Sequence, residues 1–115
     1  MAKSNVLLEK SYEFALRIVN LTFELQDQLK EVVLTKQVMR SGTAIGALSE
    51  EAQQAESKAD FIHKLAIANK EAYETDYWLR LMRDSKKFPG NYAEELIQCE
   101  ELMRLLVAII KSSKA

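Results

Sequence analysis

Two pairs of side chains with metal-binding or acid–base potential stand three residues apart in the second half of the chain. Asp60 and His63 form one pair, and Glu71 and Glu74 form the other. A spacing of three places both members on one face of a helix, and di-iron helical bundles use Glu-x-x-His pairs in this way. The chain has one His, so such a site would need carboxylates from several subunits. Solvated or ion-paired helix faces are the simpler interpretation, and we predict no metal and no cofactor.

The other reactive residue types form no catalytic group. The single Cys, Cys99, falls within an apolar repeat, where a buried and inert thiol is expected. One Cys can make neither an intramolecular disulfide nor a Cys-based zinc site, and it suits a reducing cytoplasm. The three glycines form no phosphate-binding loop. The sequence therefore predicts a protein that is not an enzyme and has no identified small-molecule substrate.

The elements that carry these residues are predicted from apolar side chains that recur at alternating steps of three and four. This pattern indicates amphipathic helices, expected near residues 5–28, 33–55, 58–86 and 91–112. Ser57 and Asp60 read as a reciprocal capping box before the third helix. The segment 88–90, Phe-Pro-Gly, is a turn signal, and Asn91 is a candidate N-cap. The first break has neither Gly nor Pro to mark it.

Length and composition predict a single all-α domain over residues 1–115. The chain is 48% hydrophobic and 29% charged, and its three Gly and one Pro are too few for the turns of an all-β fold. Short breaks predict an antiparallel up-down-up-down four-helix bundle, and an average of about 3.5 residues per turn predicts left-handed packing. A helical hairpin that dimerises is the alternative. No apolar run approaches the roughly 20 residues of a membrane span, so a cytoplasmic location is expected.

Several features predict that the chain associates with itself. The first and fourth helices each carry a second apolar row, which means either a wider core or a face buried against another subunit. Gly42 and Gly46 each cost about 1 kcal/mol relative to Ala within a helix, which favours close approach by a neighbour over simple fraying. Tyr77 and Trp78 offer large amphipathic surfaces, suited equally to an interface or to the edge of the core.

A cluster of cations near the end of the third helix is a candidate nucleic-acid patch. Its members are Arg80, Arg83, Lys86 and Lys87. Cations there also complement the helix dipole, which is the default interpretation. With 16 basic and 17 acidic residues, the whole chain has no bulk attraction for nucleic acid. Repetition of the cluster around a symmetric ring would concentrate the charge.

The middle of the chain resembles a known family. From Gln37 to Met82 it reads QVMRSGTAIGALSEEAQQAESKADFIHKLAIANKEAYETDYWLRLM. This text resembles the four-helix bundle proteins of the 23S rRNA intervening-sequence family, small bacterial proteins of which some are encoded within insertions in 23S rRNA genes. The flanking helices are similar in pattern. Ala44 and Leu48 depart from the family, which usually has Ser and Asn at these positions.

The resemblance implies a closed homopentamer of four-helix bundles with no established catalytic residues. A related group assists reverse transcriptases as a basic pentamer that binds nucleic acid. We expect structural roles for the family's motif residues, with ion pairs among the charged ones: Arg40, Ser41, Gly42, Gly46, Glu50, Asp60, Phe61, Lys70, Glu71 and Glu74. Lys70 and Glu74 are spaced for a helical ion pair.

The functional prediction is a non-enzymatic, self-associating helical bundle that binds RNA or nucleoprotein weakly. A protein–protein scaffold without nucleic-acid contact is one alternative. A metal-dependent enzyme with carboxylates paired across subunits is the other.

Overall fold

The chain folds into four α-helices joined by short connections. The computed structural model describes the backbone of residues 2–115 and the side chains of residues 5–115. The helices are α1 (Ala2–Leu29), α2 (Val33–Ala52), α3 (Lys58–Ser85) and α4 (Ala93–Lys114). No strand occurs in residues 2–115, and the predicted all-α four-helix fold is confirmed. None of the helices in this range combines the length and apolar character needed to cross a bilayer.

The four helices stand at the corners of a square. Both α1 and α3 pack against α2 and α4, whereas the diagonal pairs do not approach closely. Contacts across the sides run in opposite directions along the two helices: Gln26–Thr35 and Ser11–Gly46 between α1 and α2, Ser41–Thr75 and Glu51–Lys64 between α2 and α3, and Lys10–Glu101 and Arg17–Glu95 between α1 and α4. The body measures 45 × 20 × 19 Å. The left-handed supercoil stays a prediction.

The core is built from the predicted apolar stripes, with one shift of register. Its largest members are Phe14, Leu7, Ile18, Ile45, Leu65, Leu79, Met82, Leu102, Leu106 and Ile109. In α4 the second apolar row supplies Leu102 and Ile109, while Met103 and Ile110 are only partly buried. The breadth of the α4 stripe is therefore explained in part by a wider core within the chain.

The connection between α1 and α2 uses a stop signal that the sequence did not reveal. Lys30 adopts the left-handed conformation, with φ of 59°, a role that usually falls to Gly. The Glu31 carboxylate then accepts hydrogen bonds from the backbone N–H groups of Leu34 (2.8 Å) and Thr35 (3.2 Å). These are free amides of the first turn of α2, so Glu31 acts as its cap.

The other helix ends differ from the expected ones by a few residues. Helix α2 ends at Ala52 rather than at residue 55, because Gln53 and Ala55 donate to carbonyls three residues back, which tightens the chain. Helix α4 begins at Ala93, after Tyr92 in the left-handed conformation. The N-cap position falls on Tyr92 rather than on Asn91, although the Asn91 side-chain oxygen accepts a hydrogen bond at 3.0 Å from the N–H of Ala93, the first residue of α4.

The predicted capping box of α3 forms only in half. The Ser57 hydroxyl accepts from the Asp60 N–H at 3.0 Å, as expected. The Asp60 carboxylate accepts instead from the N–H of Glu56, at 3.2 Å. The reciprocal bond to Ser57 is therefore replaced by one that fixes the residue before the cap.

Candidate functional site

The conspicuous polar cluster of the motif residues bridges α2 and α3. The Arg40 guanidinium donates to the Glu71 carboxylate at 3.1 Å and to the Glu74 carboxylate. The side chains of Arg40 and Glu74 are partly exposed, and that of Glu71 is largely covered. One cation thus holds both carboxylates, so the cluster is an inter-helix clamp. The predicted Lys70–Glu74 pair is wrong, because Glu74 turns toward Arg40 and Lys70 stays exposed without an ion pair to any residue from 5 to 115.

A buried hydroxyl pair lies along the same seam. Thr75 and Ser41 are fully buried, with their oxygens 2.8 Å apart. The Ser41 hydroxyl is also 3.0 Å from the Gln37 carbonyl, and that of Thr75 is 2.7 Å from the Glu71 carbonyl. Buried hydroxyls with partners fix the register of the two helices. This arrangement suits positioning of α2 on α3.

The acidic pairs considered as metal ligands do not converge. Glu71 and Glu74 are engaged by Arg40, and Asp60 accepts a hydrogen bond from the backbone before α3. His63 is exposed. Among residues 5–115, no three Asp, Glu, His or Cys side chains are grouped closely enough to hold a metal ion.

At Gly42 and Gly46, α2 lies close against α1. A Cβ on Gly42 would stand 3.0 Å from Ile18 Cγ2, and one on Gly46 would stand 3.3 Å from the Ser11 carbonyl oxygen. The predicted close approach is confirmed. The neighbour at both glycines is α1 of the same chain, so this close approach is part of the bundle itself.

The remaining motif residues are placed separately. Phe61 is partly buried against the core at the start of α3. Glu50 is exposed and borders the groove between α1 and α2. The motif therefore spreads over the bundle and forms no single pocket.

A second polar seam, between α1 and α4, was missed by the sequence reasoning. Arg17 Nε donates to Glu95 at 2.7 Å, and Lys10 pairs with Glu101 at 3.3 Å. Glu95 is 8% exposed, and Arg17 is the cation that pairs with its carboxylate. These residues lie far apart in sequence, and only the packing of α1 on α4 brings them together.

The four candidate nucleic-acid residues lie close in sequence at one end of the bundle, and two of them carry partners. Arg80 pairs with Asp76 at 2.9 Å, and Arg83 pairs with Asp84 at 2.7 Å. The bond from Arg83 lowers the pKa of the Asp84 carboxyl and raises that of the guanidinium. Lys86 and Lys87 are exposed. Half of the predicted patch is thus already balanced by neighbouring carboxylates.

The two residues of the predicted aromatic interface have different surroundings. Trp78 is half-buried and packs against the core of its own chain, with its indole N–H buried and without an acceptor among residues 5–115. Tyr77 is 48% exposed. Its ring meets Trp78 edge-on at 5.3 Å between centroids and lies under the Arg80 guanidinium at 5.7 Å. Tyr77 is the member of the pair that a partner could reach.

Grooves with apolar walls lie along three sides of the square, and the one between α1 and α4 has a cavity volume of about 390 Å³ with a lining of Val6, Lys10, Glu101, Arg104, Leu105 and Ala108. The α1/α2 groove has a cavity volume of about 260 Å³ and is lined by Leu8, Ser11, Tyr12, Ala15, Thr43, Gly46, Ala47 and Glu50. The α3/α4 groove has a cavity volume of about 280 Å³ and is lined by Tyr73, Glu100, Met103, Arg104 and Val107.

A row of large apolar side chains on α1, formed by Tyr12, Leu16 and Phe23, is about half exposed or more. Their spacing of four and seven could have revealed the row in the sequence.

Burial governs the two groups with strongly shifted pKa values. Burial, aided by the negative charge of Asp76, raises the pKa of the Cys99 thiol to about 12. Its S–H donates to the Ala72 carbonyl at 3.2 Å. Burial also raises the pKa of the Tyr92 hydroxyl to about 12, with Glu95 contributing. A thiol held neutral in this way is a poor nucleophile, in line with the structural role expected of it.

Comparison with known proteins places these features in a family. The model of the family described as 23S rRNA-intervening sequence protein matches residues 3–108. A crystal structure from Bacteroides thetaiotaomicron VPI-5482, of a protein of unknown function from the S23 ribosomal protein family, superimposes with a TM-score of 0.91. The two sequences are 50% identical, over 95% of this chain and 98% of that one. The comparison with curated proteins returned no match.

Proposed function

Because the chain belongs to the 23S rRNA-intervening sequence protein family, we propose that it works as a non-enzymatic bundle that associates with itself and contacts RNA weakly. The observation that supports self-association is the set of large apolar side chains left outside the core. Tyr12 and Phe23 are each 63% exposed, and Leu16, Tyr73, Ile97 and Val107 are about half exposed. Tyr12, Leu16 and Phe23 recur at spacings of four and seven on one face of α1, and an exposed apolar row of this kind is more typical of a subunit surface than of a soluble monomer.

The arrangement of polar groups supports a role without catalysis. The motif carboxylates are held by Arg40, the thiol is buried and neutral, and the single His is exposed. These groups position helices or face water. These side chains therefore suit a cytoplasmic bundle that acts by presenting binding surfaces and not by catalysis. The family resemblance implies five subunits.

Light scattering on the purified chain at micromolar concentration tests self-association. We expect a mass several times the 13.1 kDa of one chain, and five chains per particle if the resemblance extends to assembly. A well-folded species that stays near 13.1 kDa at every concentration would contradict the proposal.

Fewer observations support contact with RNA than support self-association. The cations at the end of α3 are the candidate surface, and Lys86 and Lys87 are its members without an ion pair to residues 5–115. Phosphate contacts of this kind bind weakly, with little sequence preference. Ring symmetry would repeat the patch and increase its effect. The competing function is that of a scaffold that binds only protein. The patch variants described in the Discussion distinguish it from RNA binding.

A further inference from the structure

The outer surface of α3 carries two exposed tyrosine rings one helical turn apart. Tyr73 is 57% exposed and Tyr77 is 48% exposed, and residues four apart lie on the same face of a helix. Lys70 precedes this pair by three residues and Arg80 follows it by three, and both are exposed. These four side chains form one row, here called the tyrosine face. The row leads along α3 toward the exposed lysines that follow the helix.

Tyr77 is held in place although about half of it is open to solvent. Its ring meets Trp78 edge-on at 5.3 Å between centroids, and the Arg80 guanidinium lies 5.7 Å from its centroid. Arg80 is in turn fixed by Asp76 at 2.9 Å. A ring that is positioned before binding loses little conformational freedom when a ligand stacks on it.

Cations without a partner lie beside the tyrosine face. Neither Lys70 nor Arg104 of α4 forms an ion pair with any residue from 5 to 115. Arg104 and Tyr73 line the same α3/α4 groove, together with one exposed carboxylate, that of Glu100. Asp76 is largely covered and paired with Arg80. The positive charge left over here exceeds the negative charge, which suits a polyanion.

The exposed aromatic row of α1 has the opposite charge around it. Its cations Lys10 and Arg17 are engaged by carboxylates of α4. The exposed acidic residues of this helix form no ion pair with residues 5–115, namely Glu9, Glu13 and Glu24. Phosphate groups would be repelled there, so exposed aromatic rings coincide with free cations on α3 and not on α1.

We propose that the tyrosine face binds unpaired bases of single-stranded RNA. The inference rests on the proposed contact with RNA and names the class of RNA that is bound. Bases stack on Tyr77 and Tyr73, while Lys70, Arg104 and the lysines after α3 contact the phosphates. Stacking of bases on aromatic rings between cations is the usual way in which proteins bind single strands. Bases inside a duplex are already stacked on one another, so the rings discriminate against double-stranded RNA.

Conservative variants separate stacking from charge and from assembly. Tyr77→Leu removes the aromatic face but keeps an apolar side chain, and Tyr77→Phe keeps the ring. The probe is a fluorescein-labelled, unstructured RNA of about 12 nucleotides, within the usual site size of single-strand binders, alone or paired with its complement. Fluorescence anisotropy should show tighter binding of the single strand. Tyr77→Leu should weaken that binding about fivefold or more and leave duplex binding and the salt slope unchanged, because stacking releases no counterions.

The controls match these variants in chemistry. Tyr77→Phe should bind like the unaltered chain, as should Tyr12→Leu, which alters an exposed tyrosine of α1. Light scattering should give the same mass for all the variants. The emission of Trp78, the single Trp of the chain, gives a second measurement: the single strand should quench it, since the indole lies against Tyr77.

The outcomes distinguish this inference from the proposed function. If the unaltered chain binds neither form of RNA, the proposed contact with RNA itself fails. If RNA binds but Tyr77→Leu leaves the affinity for the single strand unchanged, contact with RNA stands and stacking on the tyrosine face is wrong. Equal losses in Tyr77→Phe and Tyr77→Leu would also exclude stacking on this ring.

Discussion

At the scale of single residues, the side chains with chemical potential make contacts within the bundle. Cys99 donates its S–H to the Ala72 carbonyl, Arg40 holds two carboxylates, and Gly42 makes room for Ile18. Each of these residue types serves elsewhere in catalysis, ligand binding or turns. In this chain each lies where two helices meet, so we expect its substitution to lower the free energy of unfolding.

Cys99 should make the protein less stable in alkali. Its thiol has a pKa of about 12 in the folded chain, against an ordinary value of 9.0. The unfolded chain therefore loses its proton first as pH rises, and the free energy of unfolding falls between these two values. One group contributes at most about 1.4 kcal/mol per pH unit in this range. Urea unfolding from about pH 8 to about pH 11 should show the decline.

The matched variant for that experiment is Cys99→Ala, which has no thiol to ionise. It should be less stable near neutrality, since a buried sulfur is removed, but its stability should depend less on pH above about 9. Tyr92, whose pKa is also raised, contributes equally to both proteins and cancels from the comparison. Parallel pH curves for the two proteins would contradict the assignment.

Gly42→Ala should destabilise the bundle although Ala is the better helix former. The new methyl would stand 3.0 Å from Ile18 Cγ2, and overpacking costs about 1–3 kcal/mol against a gain of about 1 kcal/mol in helix propensity. We expect a net loss on the order of 1 kcal/mol in urea unfolding. The cost should be smaller in an Ile18→Val background, and equal costs in both backgrounds would exclude Ile18 as the obstacle.

At the scale of elements, the sequence predicts the helices well and their ends poorly. Alternating apolar steps identify all four helices, because burial of one face requires that spacing. The ends depend on local backbone states that side-chain type does not reveal. Lys30, Lys86 and Tyr92 adopt left-handed φ values of 56–59°, where Gly or Asn is the usual choice. Glu31 caps α2 from outside the usual N-cap position.

Glu31→Ala should weaken the start of α2. It removes the acceptor of two backbone N–H groups, those of Leu34 and Thr35, and loss of a cap typically costs about 1 kcal/mol. Glu31→Gln keeps an acceptor without the charge and should lose less. The measurement is urea unfolding of both variants; an Ala variant as stable as the unaltered chain would exclude the capping role.

At the scale of the whole molecule, the candidate surfaces follow from how the helices pair, and sequence patterns do not state that pairing. The motif sequence predicts structural roles for Arg40, Glu71 and Glu74. It does not predict that one cation holds both carboxylates. Arg17 and Glu95 are 78 positions apart. The grooves become visible only when neighbouring helices of the bundle are placed side by side.

If RNA binds the end of α3, Lys86 and Lys87 should carry most of the affinity, because Arg80 and Arg83 already have carboxylate partners. Replacing both lysines with Gln should weaken binding to a structured RNA and lower the salt slope by about 1 per lost phosphate contact. Replacing all four cations should abolish it. Lys111 and Lys114, exposed at the last turn of α4, give a control with equal loss of charge. Fluorescence anisotropy unchanged in the fourfold variant would remove this patch from consideration.

The square arrangement also implies an order of events during folding. Three of its sides join helices that are neighbours along the chain, whereas the α1/α4 side joins residues 78 and 91 positions apart. Closing the longest loop costs the most chain entropy, so the Arg17–Glu95 contact should form after the transition state. Arg17→Ala should then speed unfolding while leaving the folding rate nearly unchanged. Stopped-flow kinetics in urea would show this as a shift of the unfolding limb alone, and a matching drop in the folding rate would place the closure early.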